Sequence, residues 1–96
     1  MAEISFTITT PQNTTRDEDI LARFHNEIAN DPTVLGPSAA LDIGRGVISS
    51  SFQVDSDDLE KAQEIGIRAF EKALHAAGLP PGTHYDSIGP GPEHTA

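Results

Sequence analysis

The spacing of apolar residues changes period repeatedly along this chain, and that alternation limits the folds open to it. Ile4, Phe6 and Ile8 alternate with Ser5, Thr7 and Thr9, the period of a strand buried on one face. Pro11 and its polar neighbours break the run. Ile20, Leu21, Phe24 and Ile28 then share an arc of about 100° on a helical wheel. Thr15 followed by Glu18 has the form of a capping box, which starts this helix at Thr15. Asp17, Glu18 and Asp19 suit the positive end of its dipole, and Asn30-Asp31-Pro32 ends it.

Period two returns in Leu35, Ala39, Leu41 and Ile43, and again in Ile48, Phe52 and Val54. Gly44-Arg45 between them suits a two-residue type II′ turn. That turn sets Leu41 opposite Ile48 and Ala39 opposite Ser50, keeping both apolar sets on one face. Pro37 assigns the first of these strands to a sheet edge. A second helix starts at Asp55 or Ser56, with Asp57 and Asp58 matching its dipole. Its apolar residues, from Leu59 to Ala77, cover an arc of roughly 200°. Gly78-Leu79-Pro80 supplies a left-handed cap, an apolar contact and a stop. Residues 83–88 have the composition of a short fourth strand, and 89–96 read as a disordered Gly/Pro tail behind one domain, 1–88.

The order β-α-β-β-α, with a short last strand, resembles a split β-α-β, ferredoxin-like sandwich. The resemblance implies an α+β domain in which two helices cover one face of an antiparallel sheet, with the second strand at its edge. Many unrelated functions occur on that architecture, so function has to be argued from sites.

With 15 acidic and 6 basic residues, a net charge of −9 repels nucleic acid and anionic membrane surfaces and permits a basic protein surface as partner, beside self-association. RNA-binding sheets of this order place aromatic residues on the outward strand positions, where this chain has Ser and Thr. The chain contains no cysteine, which excludes disulfides, thiol catalysis and thiolate metal sites. No stretch reads as a signal peptide or a membrane span, so the expected location is cytoplasmic.

Two surfaces are candidates for function. If the apolar parity faces the helices, then Ser5, Thr7, Thr9, Ser49, Ser51 and Gln53 face away, with Ala40 and Asp42 beside them. That face is rich in hydroxyls and nearly free of charge, which suits a solvated sheet, a sheet-to-sheet dimer or a polar ligand. The wide arc of the second helix suits either packing on the sheet or a contact with a second subunit through Gly66, Ile67, Phe70 and Leu74. His25, His75, His84 and His94 share no helical ligand spacing, so no metal or other cofactor is expected. Ser49-Ser50-Ser51 lies in a strand and not at a nucleophile elbow, and no phosphate loop is present. The leading expectation is therefore a non-enzymatic, homodimeric interaction module. The alternatives are a small-ligand sensor or enzyme of the dimeric ferredoxin-like type, with its pocket between sheet and helices, and an acidic inhibitor that mimics nucleic acid through its Asp17–Asp19 and Asp55–Asp58 clusters.

Overall fold

The computed structural model describes residues 3–80, 83 and 85–90. Strands β1 (Glu3–Thr9), β2 (Leu35–Asp42), β3 (Val47–Asp55) and β4 (Ser87–Pro90) form one sheet in the order β2-β3-β1-β4. Every neighbouring pair is antiparallel. Helices α1 (Glu18–Ala29) and α2 (Leu59–Ala76) pack on the face that carries Phe6, Ile8, Ile48, Phe52 and Val54. This is the ferredoxin-like arrangement that the period changes predict, with Pro37 on an edge strand.

The core is built from two edge-to-face aromatic pairs. Phe24 of α1 meets Phe70 of α2 with ring centroids 5.2 Å apart, and Phe6 of β1 meets Phe52 of β3 at 6.3 Å. Ile8, Ile28, Ile48 and Leu74 fill the space around them without exposure. These residues close the interval between sheet and helices.

The β2–β3 register is the expected one, with Leu41 opposite Ile48 and Ala39 opposite Ser50. The turn is different. Pairing stops at Asp42 and Val47, so the loop holds four residues, and the Gly46 N–H donates to the Asp42 carbonyl at 2.8 Å. Gly46, not Gly44, takes the left-handed φ of 67°, and a Cβ there would lie 2.9 Å from Asn13 Cα. Tertiary contact with the β1–α1 loop selects the turn: Asn13 and Thr14 donate to the Arg45 and Gly46 carbonyls. Ile43, expected to face the core, is exposed in this loop.

A second departure lies in β2, where the register shifts between Leu35 and Ser38. Gly36 at φ 57° and Pro37 together oppose one residue of β3, which is a bulge of the kind that glycine permits. The extra residue reverses the parity, so Leu35 is 40% exposed instead of facing the helices.

Both helices begin later than the sequence suggests, because several neighbouring residues are competent caps. Asp17, not Thr15, caps α1 by accepting the Asp19 N–H at 2.9 Å, and Thr15 Oγ1 accepts from Asp17 instead. Asp58 caps α2 by accepting from Glu60 at 3.0 Å, while Ser56 Oγ accepts the Asp58 N–H. The expected stop of α2 is present. Leu79 donates to the Leu74 carbonyl and Gly78 to that of His75, with Leu79 buried. The last strand is displaced toward the C-terminus. Gly89 and Pro90, assigned to a tail, pair with Thr7 and Phe6 of β1, whereas 91–96 lie outside the described residues.

Thr10 is buried where β1 leaves the sheet. Its N–H donates to the Ile48 carbonyl, and its hydroxyl oxygen accepts the Ile48 N–H, both at 2.9 Å. The side chain thus supplies an acceptor to the ladder while the backbone turns toward Pro11. Thr10→Val keeps the shape but leaves that buried N–H unpaired, and should cost about 1–3 kcal/mol in urea unfolding. Thr10→Ser should retain most of the stability. Equal stability of the Val variant would show that Ile48 has found another acceptor.

Candidate functional site

Parity places Ser5, Thr7 and Thr9 of β1 and Ser49, Ser51 and Gln53 of β3 on the sheet face away from the helices, as expected. All six are partly buried. They meet as three cross-strand pairs: Ser5 with Gln53, Thr7 with Ser51, and Thr9 with Ser49. The Thr7 and Ser51 hydroxyls are 2.9 Å apart, and Gln53 Nε2 donates to Ser5 Oγ at 3.3 Å. Ser38 of β2 continues the Thr7–Ser51 row, and Ser87 of β4 continues the Thr9–Ser49 row.

The chemistry of this face follows from its inventory. A pair of hydroxyls that share one hydrogen bond keeps a second donor and several lone pairs. Gln53 keeps its carbonyl oxygen for a further partner, since its amide nitrogen makes the bond to Ser5. The six positions carry no charge, and Glu3 opposite Asp55 makes one end of the face acidic. Such a surface suits an uncharged molecule with several oxygens better than an anion.

The second candidate surface requires correction. Phe70 and Leu74 have no exposure in the single chain, and Gly66 is buried against Phe52. These three complete the chain's own core, so they are unavailable as a surface for a second subunit. Ile67 alone of the four keeps partial exposure. The arc of α2 is wide because this helix packs on both the sheet and α1.

His25 is exposed, although it borders the apolar stripe of α1. His75 is exposed too, and its Nε2 lies 2.9 Å from the Thr83 carbonyl, an acceptor, so Nε2 carries the proton. His84 and His94 lie outside the described residues. Among the described residues, no three His, Asp or Glu side chains converge to hold a metal ion. No helix there is long and apolar enough to cross a membrane. The two acidic clusters lie at opposite ends of the molecule. Asp17 to Asp19 follow the Thr9 end of β1, while Asp55 to Asp58 adjoin its Glu3 end. Mimicry of nucleic acid, which needs one continuous acidic side, loses its basis.

A crystal structure from Chloroflexus aurantiacus J-10-fl shares this fold across 98% of both chains, with a TM-score of 0.55 and 17% identity. That protein is provisionally described as an antibiotic biosynthesis monooxygenase. No protein-family model matches the sequence, and no curated protein does. The structural match supports the ferredoxin-like fold of the described residues. It also runs against the leading expectation of a non-enzymatic interaction module, since the structural counterpart is described as an enzyme.

Proposed function

We propose that this chain is a small-ligand protein of the dimeric ferredoxin-like type, a sensor or an enzyme, whose site is the outer face of its sheet. The observation that carries this reading is the partly buried, uncharged grid formed by Ser5, Thr7, Thr9, Ser49, Ser51 and Gln53, with the Thr7–Ser51 hydroxyl pair at its centre. The pocket expected between sheet and helices is not open: the packed aromatic pairs fill that space, and the outer face is the surface left for a ligand. A second copy laid against this face would enclose the ligand and exclude water from its hydrogen bonds. The counterpart's description as an antibiotic biosynthesis monooxygenase supports the enzyme form of this reading. These hydroxyls bind and orient; none titrates near neutrality, so proton transfer would fall to the ligand or to residues beyond the six.

The test is a thermal-shift screen of uncharged, oxygen-rich small molecules, with carboxylates and phosphates as controls. At about a hundred times its Kd, a ligand of the native state adds about 2.7 kcal/mol. In a domain of this size that is a rise of roughly 10–20 °C. Thr7→Val combined with Ser51→Ala should remove the rise. A hit whose shift is unchanged in that double variant, or a screen answered only by anions, would sink the assignment.

A further inference from the structure

On the helix side of the molecule, away from the sheet face, two adjoining hollows of about 240 and 110 Å³ share Asp31, Pro32, Ala69 and Lys72. Their walls differ in charge. The end of α1 and the residues after it contribute Glu27 and Asp31, while α2 contributes Arg68 and Lys72. Ile65 and Ala69 supply apolar surface between them. Glu27, Arg68 and Lys72 are exposed and Asp31 is half-buried, so pairing across the cleft would gain little. Among the described residues the two walls make no ion pair with each other, and the ion pair within 4.0 Å is Arg68 with Glu64, its neighbour one turn back on α2.

The acidic wall has a further source of negative potential. α1 has no basic residue in its last turn and ends at Asn30, so nothing in that turn offsets the negative end of its dipole. The Asp31 carboxylate is held in place, with Oδ1 accepting from both the N–H and the hydroxyl of Thr33. We infer that this cleft binds a small zwitterion, specifically an aliphatic α-amino acid. The ammonium group lies toward Asp31, Glu27 and the end of α1. The carboxylate lies toward Lys72 and Arg68, and the side chain lies on Ile65 and Ala69. The molecule bridges an acidic wall and a basic wall that make no ion pair with each other among the described residues. This inference is independent of the sheet-face reading, since the two sites lie on opposite sides of the sheet.

Amide NMR titration of the whole chain with L-leucine tests it. Saturable shifts are expected at residues 30–33 and 65–73. Leucinamide, which lacks the carboxylate, and 4-methylpentanoate, which lacks the amine, should each bind about tenfold more weakly, the effect of losing one charge-assisted hydrogen bond. Lys72→Gln and Asp31→Asn should weaken leucine similarly, whereas Lys61→Gln, on α2 but outside the cleft, should not. The amide spectra of the variants report that the fold is intact. The inference is overturned by an absence of saturable shifts, by analogues that bind as well as leucine, or by a Lys61→Gln effect equal to that of Lys72→Gln. Shifts confined to β1 and β3 would also overturn it, while leaving the sheet-face proposal standing.

Discussion

Phe70→Ala should cost about 3–5 kcal/mol of unfolding free energy, the range for truncating a buried aromatic ring. Phe70 has no exposure and lies edge-to-face against Phe24, so its removal opens a void between α1 and α2 that neither helix can fill unaided. A domain of 96 residues has a total stability on the order of 5–14 kcal/mol, so this one ring accounts for a large share. The measurement is urea unfolding at equilibrium. The midpoint should fall sharply with little change in slope, because the surface exposed on unfolding is nearly the same. A loss below about 1 kcal/mol would mean that the helices collapse onto the void and that the aromatic pair is not central to their packing.

Gly66→Ala is the second substitution with a large expected effect, and its sign is the informative part. On an exposed helix this change would stabilise by up to about 1 kcal/mol. At this position the new methyl would lie 2.9 Å from Phe52 Cε2 and 3.2 Å from Cζ, with Phe6 Cδ2 at 3.6 Å. Phe52 is buried and braced by Phe6, so the ring cannot withdraw. Overpacking of this kind typically costs about 1–3 kcal/mol, so after the propensity gain the net effect should be a destabilisation of up to about 2 kcal/mol. In a Phe52→Leu background the same substitution should cost less, and a double-mutant cycle isolates the contact. A stabilised Gly66→Ala protein would show that α2 can lift off the sheet without loss.

What was legible in the sequence, and what was not, divides along the range of the interactions involved. The strand–helix order, the β2–β3 register and the Gly78-Leu79-Pro80 stop follow from periodicity and from residues adjacent in the chain. The four-residue turn does not, because Asn13 decides it from more than thirty residues away. The bulge at Gly36-Pro37 was hidden because an inserted residue reverses parity, and Leu35 fits an inward pattern until that reversal is known. The helix starts were ambiguous because Thr15, Asp17, Ser56 and Asp58 are all chemically able to cap. For the outer sheet face, alternation alone identified the six residues, and the structure adds their pairing. The cleft was illegible, since no local pattern brings Asp31 beside Lys72. Gly66 carried a partial signal as a glycine inside a helix, but only the position of Phe52 explains it.

The Gly36-Pro37 bulge has a consequence for how copies of this protein can meet. A sheet edge with regular, unpaired backbone groups is a template on which strands of other molecules add, and unchecked addition leads to aggregates. On β2 the template is interrupted, since Pro37 has no N–H to offer and the bulge puts the strand out of phase with any straight partner. The opposite edge, β4, is only four residues long and ends in another proline. Both margins are thereby blunted, and a chain with a thin stability reserve can open briefly without seeding fibres.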